Sequence, residues 1–472
     1  MDLIREQFLR ELLGQDDLQL TDDQEHAMQQ FLHFLDSNLE RAAYLLTGSA
    51  GTGKTFLINL FTKILKRHGY KVILLAPTGR AAKVITRRTR RHAFTIHHHI
   101  YSPQENAFGQ LAFTLKNNKE ASKTVYIIDE ASMIGNRSDG SSARGLLSDL
   151  LEYVYRQDPD RKLILVGDPV QLPPVGYADS PALDPQILQT VGIFDLYKAH
   201  LSEVKRQLVD SGILENAVLI RDAYLAADPA GLNLDVGRDV QPLENGYEGL
   251  EIYMGYHEEG NPDRVVFITY SNYQATRVNQ AIRHHLWGSE EILLPSDMLM
   301  VVRNNYSWGD SKRLPFLANG EMGTVRTVYK ETYEERYGLR WMDAEIEFID
   351  NRGDAILIEC KLVLDLLQDK RPQLPQEVMQ MLTQAREQEY AGLSPSQARQ
   401  LMRTDPYVNA LQVKYGYAIT GHKAQGGQWE NVLIGFEPDY GQNPMAYIRW
   451  SYTVFTRAEE RVFLLNCPFV PK

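Results

Sequence analysis

The sequence predicts an α/β fold with parallel sheets in two domains, together with two small β insertions. Three observations carry this prediction. Short apolar runs recur that have the length and composition of buried strands. Helical patterns lie between many of these runs, and such alternation is typical of parallel sheets. The alternation breaks at two places, where polar or alternating segments replace it. With 472 residues, the chain is long enough for two to four domains.

The predicted elements begin with a helix. Thr21 and Gln24 have the spacing of a capping box, and a helical pattern continues from them through Phe31. Residues 1–19 are expected to form a short amphipathic helix that leads into the first domain. The apolar runs that predict strands then follow at residues 42–47, 71–76, 124–128, 162–166, 265–269 and 432–436.

Two segments interrupt the alternation of strands and helices. Residues 98–122 are polar with scattered aromatic residues, which favours a small β-hairpin insertion. After Gly320, apolar and polar residues alternate, which predicts a small antiparallel β-domain. Residues 372–404 have a helical pattern that would decorate this second insertion, and the α/β pattern returns near Tyr415.

Composition narrows the class of protein. Cys360 and Cys467 are the two cysteines, so a disulfide framework and a cysteine-based zinc site are excluded. The N-terminal residues mix acids and bases without a long apolar run, and no stretch approaches the roughly 18 apolar residues of a membrane span. The protein is therefore expected to be soluble and cytoplasmic, without a membrane partner.

Charge is unevenly distributed along this acidic chain. The net charge is −11, yet no Asp or Glu occurs between Glu40 and Glu105, a window that contains twelve Lys or Arg residues. The densest part holds Arg80, Lys83, Arg87, Arg88, Arg90 and Arg91. A single arginine there fits a solvated helix face equally well, but the whole window would create a positive field for phosphates.

The strongest single motif is GSAGTGKT at residues 48–55, which matches G-x-x-x-x-G-K-[ST] between a predicted strand and a predicted helix. Backbone N–H groups of such a loop turn toward phosphates, and the helix N-terminus favours anions. Lys54 would reach the β- and γ-phosphates of ATP, and the Thr55 hydroxyl would ligate Mg²⁺. The predicted nucleotide-binding residues of the loop are Gly48, Ser49, Ala50, Gly51, Thr52, Gly53, Lys54 and Thr55.

Two other predicted strands end in residues that suit ATP hydrolysis. Residues 125–130 read VYIIDE, so Asp129 would hold Mg²⁺, commonly through water. Glu130 could orient and polarise the attacking water. The strand at 162–166 leads into GDPVQLPPVG, where Gln171 could sense the γ-phosphate.

These motifs, with others in the same order, resemble the superfamily 1 helicases. The match is best to superfamily 1B, the 5′→3′ branch that includes RecD-like and Dda-like enzymes, and it runs from about residue 20 to the end. The further segments are LTDDQEHA with Gln24, APTGRAA, TIHHHI, LSEVKRQ with Arg206, FITYSNYQATRVNQAIR, LANGEMGTV with Asn319 and Gly320, YAITGHKAQGGQWENVLI, and YTVFTRAEE with Arg457. The segment TGHKAQGG departs slightly from the usual TxHKxQG around Gly421, to which the resemblance gives no role.

The resemblance implies two RecA-like P-loop domains with parallel sheets, a β-hairpin insertion and an SH3-like β insertion. The first RecA-like domain would span residues 20–198 and contain the hairpin at about 98–122. The second would combine residues 199–318 and 410–472. The SH3-like insertion with its helical decoration would occupy residues 319–409.

The resemblance also implies roles at the nucleotide. ATP would lie between the two RecA-like domains, where Gln24 reads adenine and Gly426 belongs to the nucleotide-binding set. Arg206 and Arg457 would face the γ-phosphate, because a guanidinium stays charged and can donate two parallel hydrogen bonds. Hydrolysis would then be coupled to domain closure. The expected catalytic residues are Lys54, Asp129, Glu130, Gln171, Arg206 and Arg457.

For nucleic acid, the resemblance implies contacts to backbone phosphates that suit sequence-independent movement. The expected contact residues are Pro77, Thr78, Thr95, His97, Thr420 and His422. Aromatic residues of the insertions could stack on bases, and one in the hairpin could separate strands, although packing in the core or the hairpin is the stronger alternative for most of them. The candidates are Tyr101, Phe108, Phe113, Tyr329 and Tyr333. The run His97–His99 lacks nearby carboxylate or cysteine ligands, so the DNA-side interpretation is preferred to a zinc site.

Three functions remain open at this point. The first is a 5′→3′ DNA helicase that acts on single-stranded DNA and duplex junctions, with a monomer as the default. The second is an RNA or RNA–DNA remodelling ATPase, which would need contacts to 2′-hydroxyls. The third is a P-loop ATPase that binds DNA without unwinding it. Repair, recombination, replication restart and mobile-element transfer all use such motors, and the sequence does not choose among them.

Overall fold

The computed structural model describes residues 20–105, 111–137, 144–203, 211–258, 261–309, 313–314, 316–350, 353–438 and 443–470. The chain divides into two compact units, and each is described by itself. The first holds the chain up to Pro77 together with Ala81–Ser102 and Phe113–Ala227. The second holds Thr78–Arg80, Pro103–Ala112 and Asp228–Lys472.

A six-stranded parallel sheet forms the centre of the first unit. Its strand order is β3-β2-β6-β7-β1-β8, and β4 and β5 form a separate two-stranded sheet. The strands are β1 (Ala42–Gly48), β2 (Lys71–Ala76), β3 (Ala93–Thr95), β4 (Tyr101–Glu105), β5 (Leu111–Leu115), β6 (Thr124–Ile128), β7 (Lys162–Gly167) and β8 (Asp195–Leu201). The two-stranded sheet of β4 and β5 lies within the segment predicted as a hairpin insertion, and residues 103–105 and 111–112 of these strands belong to the second unit.

Helices lie on this sheet because its central strands are apolar on both faces. The helices are α1 (Asp22–Asp36), α2 (Lys54–Arg67), α3 (Gly79–Thr89), α4 (Ile96–Ile100), α5 (Leu146–Tyr155), α6 (Pro185–Thr190) and α7 (Gly212–Leu225). The predicted capping box of Thr21 and Gln24 is present at the start of α1. On one face of the sheet Phe31 of α1 stacks on Phe61 of α2, with ring centroids 4.0 Å apart. Burial of such large apolar rings stabilises the packing of these helices on the sheet.

The second unit contains a five-stranded parallel sheet and a closed five-stranded barrel. The sheet has the order β16-β10-β17-β18-β9, and the barrel has the order β11-β12-β13-β14-β15. The strands are β9 (Val240–Leu243), β10 (Val265–Thr269), β11 (Met298–Val301), β12 (Met322–Arg336), β13 (Leu339–Ile349), β14 (Ala355–Val363), β15 (Leu411–Tyr415), β16 (Ala418–Thr420), β17 (Trp429–Gly435) and β18 (Ala458–Leu465).

The helices of the second unit include two in the segment where a helical decoration is predicted. The two in that segment are α11 (Gln376–Glu389) and α12 (Pro395–Arg403). The other helices of this unit are α8 (Gly246–Tyr256), α9 (Asn272–Trp287), α10 (Asp365–Gln368), α13 (Gly421–Ala424) and α14 (Pro444–Phe455). Within the described ranges, no helix is long and apolar enough to cross a membrane.

The predicted fold class is confirmed by the parallel sheets of the two units. The alternating segment after Gly320 forms the antiparallel strands β12, β13 and β14. The barrel is closed by β11 and β15, which lie on either side of the predicted insertion at 319–409. The domain limits given above remain predictions.

Candidate nucleotide-binding site and nucleic-acid interface

The phosphate loop connects β1 to α2 in the first unit. β1 ends at Gly48 and α2 begins at Lys54, so the intervening residues make the sharp turn between strand and helix. Gly51 and Gly53 have φ angles of +78° and +93°, a region that residues with a Cβ atom rarely adopt. The loop therefore has the strand–turn–helix context that its motif requires.

The Lys54 side chain is held inside this loop. Its ammonium group donates hydrogen bonds to the carbonyl oxygens of Gly48 at 2.6 Å and Ser49 at 2.8 Å. The Thr52 hydroxyl also donates to the Ser49 carbonyl at 2.8 Å. The positive charge thus lies beside the backbone N–H groups at the start of α2, where an anion is favoured by both.

Two carboxyl groups follow β6 at the same edge of the sheet. Only β7 separates β6 from β1, and the carboxyl ends of parallel strands share one edge. Burial raises the pKa of Asp129 to about 6, and the negative charge of Glu130 acts in the same direction. The charges of Lys54 and Arg88 oppose this rise. Asp129 is half-buried, and a positive charge close to this pair of carboxyl groups would be stabilising.

Glu130 itself has an unusual backbone conformation. Its φ is +54°, a region that non-glycine residues seldom occupy, and its N–H donates to Asp129 Oδ1 at 2.9 Å. Such strain costs on the order of 1–3 kcal/mol and tends to be retained at functional sites. The conformation turns the chain sharply just after the strand, before the short helical turn Ala131–Met133.

The turn after β7 supplies a third group of polar side chains. Gln171 is buried, and its N–H donates to the Asp168 carbonyl at 3.3 Å. The Asp168 carboxylate accepts the N–H of Val170 at 3.0 Å, which fixes the turn. Because β7 lies between β1 and β6, the segment that carries Gln171 leaves the sheet between the phosphate loop and Asp129.

Gln24 contacts the phosphate loop, which the sequence reasoning did not anticipate. Its side-chain amide is buried and donates to the Thr52 carbonyl at 3.0 Å, while its Oε1 accepts the Thr21 N–H at 3.4 Å. A Cβ on Gly53 would lie 2.5 Å from Gln24 Nε2. Gln24 thus joins the start of α1 to the loop in addition to any contact with a base.

Arg457 is one of the two arginines expected to face the γ-phosphate. It is buried in the second unit, where Nε donates to the Thr453 carbonyl at 2.9 Å and Nη2 to the Thr456 hydroxyl at 2.9 Å. Nη1 donates to the Gly427 carbonyl at 3.4 Å. Arg457 is therefore fixed by its own unit beside the loop that contains Gly426, whose φ is +70°. Arg206 lies outside the described residues.

The expected nucleic-acid contacts lie after strand ends in both units. Pro77, which belongs to the first unit, and Thr78, which belongs to the second, follow β2 and are half-buried. Thr95 ends β3, and its hydroxyl accepts the His98 N–H at 3.2 Å, so it caps α4. In the second unit Thr420 ends β16 and is buried, and His422 in α13 is exposed.

The three consecutive histidines have different surroundings. His97 contacts the ring of Tyr101, with centroids 5.6 Å apart. His99 packs edge-on against Tyr153, and burial lowers the pKa of His99 to about 4. Burial also lowers the pKa of His98. Packing against apolar neighbours explains His98 and His99, and His97 remains the one proposed for nucleic acid.

The candidate stacking residues separate into two groups. Tyr101 is buried, and its hydroxyl donates to Asp149 Oδ2 at 2.8 Å, so it is a core residue, as the alternative interpretation of these aromatics has it, and it is excluded as a stacking residue. Tyr329 is half-buried, and Tyr333 is exposed with its hydroxyl donating to Glu335 at 2.7 Å. Phe108 and the side chain of Phe113 lie outside the described residues.

The structure also explains Gly421. A Cβ there would lie 2.4 Å from Trp450 Nε1 and 3.1 Å from Val454 Cγ1, so glycine lets α14 pack directly against α13. The neighbouring Lys423 donates a hydrogen bond to the Asn319 side chain, at the entry to the barrel. The sequence offered no signal for either contact, because each joins segments that are far apart in the chain.

Comparison with known proteins identifies matches in both halves of the chain. Residues 19–227 match the model of an AAA domain, and residues 415–465 match that of a UvrD-like helicase C-terminal domain. The ATP-dependent RecD2 DNA helicase of Deinococcus radiodurans is 32% identical over 442 residues, which cover 91% of this chain and 47% of the relative. The ATP-dependent DNA helicase dda of Enterobacteria phage T4 is 29% identical over 180 residues, 38% of this chain and 37% of the relative.

The chain thus spans less than half the length of these two relatives. A solved structure of the Pif1 helicase from Bacteroides covers 96% of this chain and 94% of its own, with 16% identity and a TM-score of 0.47.

The phosphate loop, the carboxylates after β6 and the helicase-type C-terminal match define a P-loop ATPase of the helicase class. Within that class the ordered motifs and the relatives agree. In the order of its motifs and in these relatives, the chain is similar to the superfamily 1B helicases.

Proposed function

We propose that the chain is a DNA helicase that moves 5′→3′ on single-stranded DNA and unwinds duplex with energy from ATP hydrolysis. The observation that carries this proposal is the edge of the first sheet. There the Lys54 ammonium lies within the phosphate loop, and Asp129 and Glu130 follow a strand two positions away. The relatives named above are DNA helicases, which supports DNA as the substrate class.

In this proposal the first unit binds the triphosphate of ATP. The loop N–H groups and the Lys54 ammonium would exchange their present contacts for phosphate oxygens, which accept charge-assisted hydrogen bonds. Gln24 would hold the loop in place through the Thr52 carbonyl, and it is also the residue expected to read adenine. Gln171 would sense the γ-phosphate from the turn after β7.

The donor set fits Mg²⁺. The ion prefers hard oxygen ligands, and a bound cation would stabilise the charged form of the Asp129 carboxylate, whose pKa is raised. Thr55 and Asp129 would hold it. When bound, it would neutralise charge on the β- and γ-phosphates.

Glu130 is proposed as the general base for hydrolysis. It would accept a proton from water as the water oxygen bonds to the γ-phosphorus and the bond to the β–γ bridging oxygen breaks. The products are ADP and inorganic phosphate. Arg457 and Arg206 would stabilise the negative charge that spreads over the transferred group, a role carried over from the motifs that contain them.

Contacts to the nucleic acid are proposed for the residues that follow the ends of the β-strands. Pro77, Thr95 and His97 would contact backbone phosphates from the first unit. Thr78, Thr420 and His422 would do so from the second. Contacts of this kind carry no sequence information, which suits a motor that moves along any strand.

The test is ATP hydrolysis measured with and without single-stranded DNA, beside unwinding of duplexes that carry either a 5′ or a 3′ tail. We expect strong stimulation by DNA and opening of the 5′-tailed duplex alone. Stimulation by RNA alone would favour a remodelling ATPase of the same superfamily. Hydrolysis without stimulation and without unwinding would contradict the proposal and favour a DNA-binding ATPase that does not unwind.

A further inference from the structure

An exposed tyrosine lies at the carboxyl edge of the second sheet. Tyr270 follows β10, and the register pairs Thr269 with Thr420 of β16 and with Gly435 of β17. Tyr270 therefore leaves the sheet beside the segment that contains Thr420 and His422, two proposed contacts to backbone phosphates. It is 38% exposed, although its neighbours in the sheet are buried.

Buried rings support Tyr270 from beneath. Its ring lies 5.1 Å from that of Tyr447 and 5.4 Å from that of Trp450, centroid to centroid. Trp450 in turn packs against Phe436 at 5.4 Å. These three supporting side chains are almost fully buried. A large flat side chain held on one side and open to solvent on the other has its orientation fixed before any ligand arrives.

The same edge carries a second aromatic residue and positive charge. Tyr273, three residues further on, is 54% exposed, and the Arg277 guanidinium lies 5.7 Å from its ring centroid. The nearby carboxylate of Glu437 accepts the Ser271 N–H at 2.8 Å, so it is engaged with the backbone. Aromatic faces beside a basic group and hydroxyls that can contact phosphate form the chemistry that binds single-stranded nucleic acid.

We propose that Tyr270 is a base-stacking platform, extended by Tyr273, for the single strand that the motor moves along. This inference rests on the proposed function and adds to it, because the contacts expected from the motifs reach only backbone phosphates. Tyr270 holds the face of one base while Thr420 and His422 hold the adjoining phosphates. Any base can stack, so the platform leaves binding independent of sequence.

The test compares binding of the full chain to oligothymidylate and to an abasic strand of the same length, by fluorescence anisotropy. The wild type should prefer the strand with bases. Tyr270→Ala and Tyr270→Leu should reduce that preference roughly tenfold, because stacking depends on a flat ring. Tyr270→Phe should retain it. Tyr270→Leu keeps apolar cover over Trp450, which separates loss of stacking from loss of packing.

Tyr247 is a matched control. It is 63% exposed and lies in the same unit, at the start of α8. This helix follows β9, which is the edge strand of the sheet on the side opposite to β16. Tyr247→Ala should leave the preference unchanged. An equal loss in Tyr247→Ala, or no loss in Tyr270→Ala and Tyr270→Leu, would overturn the platform.

Two further outcomes separate this inference from the proposed function. A wild type that binds DNA and unwinds it, yet does not distinguish bases from abasic sites, overturns the platform alone. A wild type that binds neither strand overturns the proposed function together with the platform. Equal loss of both strands in Tyr270→Ala also contradicts stacking, since it would assign the tyrosine to the phosphates or to the fold.

Discussion

The two parallel sheets of this chain share an architecture and differ in the chemistry of their carboxyl edges. The first edge has a glycine-rich loop with a lysine and two adjacent carboxyl groups. The second edge has exposed tyrosines, a hydroxyl at the end of β16 and a buried arginine held by its own backbone. The sequence after residue 228 contains no second G-x-x-x-x-G-K-[ST].

Under the proposed function, the carboxyl edges of the parallel sheets are where ligands bind, and the residues after each strand determine which ligand binds there. The first edge is suited to a triphosphate, and the second is suited to a polymer with flat bases and a charged backbone. Substitutions at each edge should therefore affect different measurements.

The largest effect is expected at the first edge. Lys54→Ala removes the ammonium from the phosphate loop, so ATP turnover should fall to background while binding of single-stranded DNA is largely kept. Steady-state kinetics measure the ATP turnover, and fluorescence anisotropy measures the binding of single-stranded DNA. Lys63→Ala, an exposed lysine in the same helix, is the control and should hydrolyse ATP normally. Equal loss of hydrolysis and DNA binding in Lys54→Ala would indicate a misfolded chain or another site.

The next effect concerns Arg457, the arginine of the second unit for which a role in hydrolysis is proposed. Arg457→Ala should retain nucleotide binding and lose hydrolysis by on the order of 10³-fold, the scale of an arginine that stabilises phosphoryl transfer. Because the guanidinium also holds the carbonyls of Thr453 and Gly427, urea unfolding should be measured beside it. Arg461→Ala, at an exposed arginine in β18, is the control. Normal hydrolysis in folded Arg457→Ala would exclude a catalytic role.

The first edge could be predicted from the sequence because its motifs are local. Residues 48–55 and the pair Asp129 and Glu130 each follow an apolar run, so strand, turn and chemistry can be read from one short segment. The parallel sheets follow from the same runs, and the alternating segment after Gly320 predicts the antiparallel strands. The residue types and the periodicity of these short segments are enough to predict the loop, the carboxyl groups and the strands.

The second edge was less predictable because its chemistry depends on contacts between distant segments. Tyr270 becomes a supported, exposed ring only because α14 brings Trp450 and Tyr447 beneath it. Tyr101 is also a tyrosine at the end of a structural element, the start of β4, yet its side chain is buried and its hydroxyl donates to Asp149. Closure of the barrel by β11 and β15 likewise depends on pairing across more than 100 residues.

A smaller effect is expected where α13 meets α14 at the second edge. Gly421→Ala places a methyl group 2.4 Å from Trp450 Nε1, so the free energy of unfolding should fall by roughly 1–3 kcal/mol. Gly246→Ala is the control, since a Cβ there meets no atom within 4 Å at the start of α8. Urea unfolding measures both. Equal stability of the two variants would contradict the tight contact, and loss of DNA binding in folded Gly421→Ala would connect it to the edge.

The smallest effect tests whether the two units bury lysine in the same way. Lys414 donates to the Leu366 carbonyl at 3.2 Å, and Lys162 donates to the carbonyls of Phe34 and Ser37. Burial lowers the pKa of Lys414 to about 8 from an ordinary 10.5, although the charge of Asp369 opposes it. Burial also lowers the pKa of Lys162.

A lysine with a lowered pKa in the folded state binds fewer protons there than in the unfolded chain between these two values. The free energy of unfolding that Lys414 contributes should therefore rise as pH increases from about 8 to about 10.5. Lys414→Met should remove a rise of up to roughly 3 kcal/mol, measured by urea unfolding across that window. Lys370→Met, at an exposed lysine nearby, should keep it. Lys162→Met should act in the same direction as Lys414→Met, and an opposite sign would show that the two units hold their buried lysines by different balances of burial and charge.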